Sequence, residues 1–270
     1  MTLDPDLRAA VEAFAALPTV LVATDFDGAL APLVLDPMDS RPVEGGMPAL
    51  TALAALPGTT VALVSGRAVG PLRQLSGAQK PILLLGSHGA EDSRRPDGLA
   101  LSDEQRTLLQ RLQDDLAALV EQHPGVRIED KPAGRVVHTR GLDPGASSAA
   151  LEAALALGAR HTDLAVTPGK EVVELAVAHV GKGVALMALA QELGVDAVFY
   201  SGDDVTDEQG FEALADDQDG ERAARRLTVR VGPGATTAQH RVADEPALVE
   251  VFRTMVAARR GAQAGGATVD

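Results

Sequence analysis

The sequence predicts an α/β fold, a doubly wound (Rossmann-like) parallel-sheet core interrupted by an inserted α+β cap domain of order αββαββ. Three observations predict it. Short, continuously apolar runs at 19–24 (TVLVAT), 60–65 (TVALVS) and 81–85 (PILLL) have the character of strands buried on both faces. Helical patterns separate these runs, and the same rhythm returns after residue 181. Between the two halves the pattern changes to alternating strands joined by Pro/Gly turns.

In chain order, the strand at 19–24 is followed by a helix at 46–56, the strand at 60–65, a weaker helix at 67–76 and the strand at 81–85. A long helix over 102–122 stops before Pro124 and Gly125. Strands 126–131 (VRIEDK) and 135–140 (RVVHTR) form a hairpin across Pro132–Gly134. A helix at about 146–158 and strands 163–167 and 171–177, joined by Pro168–Gly169, repeat that unit. The closing half holds a helix at 182–193, a strand at 197–201 (AVFYS), a helix near 207–215, a strand at 227–231 and a last helix at 244–259. The expected domains are therefore a core of 1–99 with 180–260 and an insert of 100–179. The small, polar tail 261–270 (GAQAGGATVD) is expected to be disordered.

Composition narrows the chemistry. With 2% aromatic residues and no Trp, the core is built from Ala, Leu and Val, and a ligand site has little ring stacking to offer. The absence of Cys removes disulfides, thiolate catalysis and Cys-ligated zinc, and suits a cytoplasmic location. The N-terminus has no signal-peptide pattern, and no run of 18 apolar residues calls for a membrane. A formal charge of -14 argues against nucleic acid as a partner. An anionic ligand would need a local cation to approach such a chain.

Four motifs carry candidate chemistry. DFDG at 25–28 leaves a strand at its carboxyl end, where α/β folds bind ligands. There Asp25 suits a nucleophile and Asp27 a proton donor, since neighbouring acids separate their pKa values. Taken alone, the same motif also suits a solvated helix cap. Ser65-Gly66-Arg67 ends the next apolar run, and its hydroxyl and main-chain N–H groups suit either a phosphate oxygen or an ordinary N-cap. Lys182 in GKG opens a helix, as a surface lysine or as a counterion for phosphate and Asp25. GDDVTDE at 202–208 puts Asp203, Asp204 and Asp207 within five residues, which suits a hard cation such as Mg²⁺. Each motif is weak alone; the four in this order are specific.

The set resembles the haloacid dehalogenase superfamily, and more finely the trehalose-6-phosphate phosphatases. The resemblance runs over nearly the whole chain: DFDGALAPL at 25–33, VSGR at 64–67, GSHGAE at 86–91, EDKPAGRVVHTR at 129–140, GKEVVEL at 169–175, GKG at 181–183, GDDVTDE at 202–208 and VGPGATTA at 231–238. It implies a magnesium-dependent hydrolase acting on trehalose 6-phosphate, a small-molecule sugar phosphate, alongside a trehalose-6-phosphate synthase. It implies Asp25 as the nucleophile that becomes an aspartyl phosphate and Asp27 as the acid/base. Ser65 and Lys182 would hold phosphoryl oxygens, with Gly66 and Arg67 beside them. The Mg²⁺ would lie among Asp25, Asp27, Asp203, Asp204 and Asp207. In the insert, Glu129, Lys131, Arg140, Lys170 and Glu174 fall where such proteins contact the sugar; a half-exposed sheet with ordinary surface charges is the plainer alternative. His88 and Glu91 sit in a shared motif, between substrate contact and loop bracing.

Two departures bear on the reading. Ala29 stands where the first motif usually has Thr, and Ala176–Val177 stand where Arg and Pro usually follow Glu174. Open alternatives are a phosphatase for sucrose 6-phosphate or mannosyl-3-phosphoglycerate, a phosphosugar mutase, and a regulatory sugar-phosphate binding module.

Overall fold

The computed structural model describes residues 3–95, 101–177, 181–215 and 225–266. The chain divides into two compact units, 1–98 with 181–270, and 99–180.

The first unit opens with helix α1 (Pro5–Ala15), capped by Asp4 with Pro5 in the first turn. Sequence patterning leaves this helix unassigned. Strand β1 (Val20–Asp25) follows, then α2 (Gly46–Ala54), β2 (Thr59–Val64), α3 (Val69–Ser76), β3 (Leu83–Gly86) and the short β4 (Glu91–Asp92). After the second unit come α6 (Lys182–Leu193), β9 (Ala197–Gly202), α7 (Val205–Ala215), β10 (Arg226–Val231), β11 (His240–Val242) and α8 (Glu245–Gly266). The seven strands lie in the order β11-β10-β9-β1-β2-β3-β4, with only the β3–β4 pair antiparallel.

The apolar runs are continuous because both faces of this sheet are covered. Alternate residues of β1 point to opposite sides. Val20 and Val22 join Leu7, Phe14, Leu50 and Phe252 in one core, and Phe199 meets Phe14 and Phe252 edge-on at 6.2 and 5.9 Å. Leu21 and Ala23 join Leu186, Leu189, Phe211 and Leu214 in another. One face thus carries α1, α2 and α8, and the other α6 and α7. At roughly 25 cal/mol per Å² of apolar surface removed from water, these two cores dominate the unit's stability.

The second unit runs α4 (Asp103–Gln122), β5 (Arg127–Lys131), β6 (Gly134–His138), α5 (Pro144–Gly158), β7 (Ala165–Gly169) and β8 (Val172–Ala176). Its antiparallel sheet has the order β5-β6-β8-β7. Two expectations need correction. Strand β7 runs through Pro168 and Gly169, and the turn lies at Lys170 and Glu171; β7 is an edge strand, where proline's missing N–H costs no ladder bond. The tail is also helical as far as Gly266, since alanine and glutamine continue the ladder and each glycine costs only about 1 kcal/mol. Residues 267–270 lie outside the described residues.

Candidate active site

Strands β1, β2 and β9 are parallel neighbours, so their carboxyl ends share one edge of the sheet. The register pairs Asp25 with Val64 and Thr24 with Ser201. That alignment brings Asp25, Ser65 and the Gly202–Asp203 peptide side by side, although 40 and 178 residues separate the latter two from Asp25's neighbourhood in sequence. A chain of buried hydroxyls ties the strand ends together: Ser201 Oγ donates to Thr24 Oγ1 at 2.8 Å, and Thr24 Oγ1 donates to the Asp25 carbonyl at 3.0 Å.

Lys182, the first residue of α6, is 2% exposed and points its ammonium into this edge. Its Nζ lies 3.1 Å from Asp25 Oδ1, 2.8 Å from Asp207 Oδ1 and 3.7 Å from Asp204 Oδ1. Burial works against the lysine's charge, but Asp25 and Asp207 outweigh it and raise its pKa. Burial pushes the Asp25 carboxyl well above the ordinary carboxylate value, against the pull of Lys182, and Asp207 adds to the rise. One ammonium therefore faces an excess of carboxylates.

Asp207 is fully buried and saturated. Its Oδ1 accepts from Lys182 and from the Tyr200 hydroxyl, and its Oδ2 accepts from the N–H groups of Asp203 (2.9 Å) and Asp204 (3.1 Å). It thus fixes the loop that presents Asp203. Asp204 Oδ1 accepts from Asp207 N at 2.9 Å and from Thr206 Oγ1 at 2.8 Å. Burial would raise the Asp204 pKa, but Lys182 and these bonds bring it below the usual value.

Asp203 is different. Its Oδ1 is buried without a hydrogen-bond partner among the described residues, and burial, followed by Asp207 and Asp204, pushes its pKa up to about 6. Asp25, Asp203 and Asp207 each offer an oxygen within 4.8 Å of the others. Gly28, at φ +84°, leaves the room: a Cβ there would lie 2.1 Å from Asp203 Oδ2. An orphaned carboxylate oxygen, a hard-oxygen donor set and surplus negative charge all fit a divalent cation.

The other two motifs form a second cluster. Asp27 is gripped by the Arg67 guanidinium, Nε to Oδ2 at 2.5 Å and Nη2 to Oδ1 at 2.7 Å, so Arg67 is engaged with a carboxylate of the same site. That contact raises the Arg67 pKa further. Ser65 Oγ accepts from Arg67 N at 3.1 Å, which among the described residues leaves its O–H able to donate. The GSHGAE segment braces this turn. His88 N donates to Ser65 O at 2.9 Å, Ser87 N to Arg67 O at 2.7 Å, and Glu91 Oε2 accepts from Val69 N at 2.5 Å. Gly66 has no Cβ because one would meet the His88 ring at 2.8 Å. Ala29, where the family pattern has Thr, is buried in the apolar core.

In the second unit the register puts Glu129 and Glu174 on either side of Val136 in one cross-strand row. Lys131 lies opposite Gly134, which has no side chain, and its ammonium crosses β6 to reach Glu174 at 3.0 Å. Arg135, of the opposite parity, bonds Gln113 of α4, so the charged row occupies the face away from the helices. Arg140 and Lys170 are exposed beyond the strand ends and outside that row.

A family model described as trehalose-phosphatase matches residues 23–246. The chain belongs to the trehalose-phosphatase family. It is 36% identical over 232 residues to a bifunctional trehalose-6-phosphate synthase/phosphatase of Thermoproteus tenax, covering 83% of this chain and 30% of that protein. It is 30% identical over 227 residues to the trehalose-6-phosphate phosphatase of Escherichia coli, covering 82% and 81%. A crystal structure of Aspergillus fumigatus trehalose-6-phosphate phosphatase is similar at a TM-score of 0.72 and 27% identity, over 95% of this chain and 98% of the other. The chain spans half the length of a trehalose-phosphate phosphatase of Mycolicibacterium paratuberculosis.

Three residues escape sequence reasoning, two in the first unit's cluster and one in the second unit's charged row. Tyr200 is the only Tyr, and a phenol in a buried strand must find an acceptor, which was the available signal. His138, Nε2 to Glu129 Oε2 at 2.8 Å, shares the charged row through cross-strand register. Ser40, buried and bonded to Asp27, had no signal at all.

Proposed function

We propose that the chain is a Mg²⁺-dependent phosphatase that hydrolyses trehalose 6-phosphate to trehalose and phosphate through an aspartyl phosphate. The observation that carries this reading is the buried Asp25 carboxylate, 3.1 Å from the Lys182 ammonium, beside an Asp203 Oδ1 that has no hydrogen-bond partner among the described residues. Family membership supports the substrate.

In this mechanism a carboxylate oxygen of Asp25 attacks phosphorus as the bond from phosphorus to the sugar oxygen breaks. Asp27, in its protonated form, gives its proton to the departing sugar oxygen. It then takes a proton from a water whose oxygen attacks the aspartyl phosphate, releasing phosphate and restoring Asp25. Lys182 neutralises the phosphoryl oxygens and Asp25 together, while the Ser65 O–H donates to a phosphoryl oxygen. A Mg²⁺ ion held by Asp25 and Asp203, with Asp27 close by and Asp204 and Asp207 orienting the loop, supplies charge neutralisation when bound. In the second unit Glu129, Lys131 and Glu174 would read sugar hydroxyls, with Arg140 and Lys170 at the margin. The substrate comes from a synthase activity of the kind fused to the phosphatase in the Thermoproteus relative.

The test is phosphate release from trehalose 6-phosphate, sucrose 6-phosphate and mannosyl-3-phosphoglycerate, each in EDTA and in Mg²⁺. Turnover on trehalose 6-phosphate that Mg²⁺ restores supports the reading. Undiminished turnover in EDTA refutes the metal role, and a preference for another sugar phosphate reassigns the substrate.

A further inference from the structure

We propose that Ser40 is a positioning residue for Asp27, holding its carboxylate where it meets the departing sugar oxygen. The inference rests on the acid/base role given to Asp27 above. Ser40 is fully buried, and its Oγ donates to Asp27 Oδ1 at 2.9 Å across 13 residues of chain.

The segment around Ser40 is built to deliver that hydroxyl. Asp36 Oδ1 accepts from Met38 N at 2.9 Å and starts a single 3₁₀ turn over Pro37–Asp39. Arg41 Nη1 then donates to the carbonyls of Met38 (2.9 Å) and Ser40 (2.7 Å). Val43 N donates to Leu30 O at 3.0 Å and ties the far end of the segment back to the turn that follows β1. The main chain at Ser40 is therefore pinned on both sides.

The Arg67 fork alone does not provide the same constraint. A guanidinium on a four-torsion side chain fixes the carboxylate relative to itself, but the two can rock together. A serine hydroxyl hangs on one torsion from its main chain, and here that main chain is fixed. Ser40 thus sets where Oδ1 sits, and Arg67 sets the plane about it. Proton transfer to a leaving oxygen depends steeply on such placement.

A buried serine that only satisfies its own hydroxyl would affect all substrates alike. A positioning role would not, because a sugar alkoxide needs a proton to leave and a nitrophenolate hardly does. The experiment compares kcat/KM for trehalose 6-phosphate and p-nitrophenyl phosphate in wild type, Ser40→Ala and Ser40→Thr, with Tm measured for each. kcat/KM reports the steps through departure of the alcohol, so the shared hydrolysis of the aspartyl phosphate does not enter it.

Loss of a hydrogen bond to a carboxylate that keeps its arginine should lower kcat/KM for the sugar phosphate by about five- to thirtyfold. The ratio of the two substrates' kcat/KM values should fall at least fivefold in Ser40→Ala and recover in Ser40→Thr. Equal losses on both substrates, or no loss on the sugar phosphate, overturn the proposal. A Ser40→Ala variant too unstable to assay, with a Ser40→Thr variant that melts normally yet shows the full loss in ratio, also overturns it. Wild-type protein that releases no phosphate from any alkyl phosphate overturns the proposed function itself, and the role of Ser40 with it.

Discussion

Replacing Lys182 by Met keeps the length and bulk of the side chain and removes one buried charge. The ammonium lies 3.1 and 2.8 Å from carboxylate oxygens of Asp25 and Asp207, and both acids are buried. At an effective dielectric of about 20, each contact is worth roughly 5 kcal/mol gross, and dehydrating the ammonium offsets much of that. Removing one partner of a buried ion pair costs about 3–5 kcal/mol, because the remaining charge is stranded. For a chain of this size that lowers Tm by about 6–20 °C. The assay is thermal denaturation in EDTA of wild type, Lys182→Met, Asp207→Asn and the double variant. Asp207→Asn removes a charge that Lys182→Met leaves exposed to repulsion, so the double variant should lose less than the sum by 1 kcal/mol or more. Strict additivity, or a loss under about 1 kcal/mol for Lys182→Met, would refute Lys182 as the buried counterion of this site.

Three further outcomes follow from the same geometry. Asp203 is held up to about 6 by burial and by Asp207 and Asp204, above its ordinary 3.8. A raised carboxyl favours the fold fully below about 3.8, and that contribution is lost as pH rises through 6. On the proposed metal role protons and Mg²⁺ compete at Asp203, so the Mg²⁺ concentration for half-maximal activity should rise up to about tenfold per pH unit below 6; a constant value from pH 7 to 5 would remove Asp203 from the proposed metal site. Gly28→Ala would force a Cβ to within 2.1 Å of Asp203 Oδ2 at φ +84°, so activity should fall by 10²-fold or more and Mg²⁺ should no longer raise Tm, which melting curves with and without Mg²⁺ would check. Glu129→Ala, Lys131→Ala and Glu174→Ala should each widen the gap between trehalose 6-phosphate and p-nitrophenyl phosphate by about ten- to a hundredfold in kcat/KM, whereas a common loss on both would mark a folding defect.

The sequence by itself determined the doubly wound core, because continuous apolar runs are stable only in strands covered on both faces. It also put the four motifs at the ends of elements, where they close β1 and β2, open α6 and close β9. It could not say how those ends line up. Parallel register decided that Asp25 lies beside Val64 and that Thr24 lies beside Ser201. The three clustered aspartates look alike in sequence, yet their burial and partners separate them: Asp207 is saturated by four donors, Asp204 starts a helix, and Asp203 keeps a buried oxygen with no hydrogen-bond partner among the described residues. Arg67 reads from its motif only as part of a turn beside the phosphoryl group, and the loop that carries it turns the guanidinium onto Asp27. Ser40 has no motif at all, and only its turn brings its hydroxyl to Asp27. The physical reason is common to these cases: residue type and period are local properties, whereas the partner of a buried polar atom is set by which distant segment the packed core brings within about 3 Å.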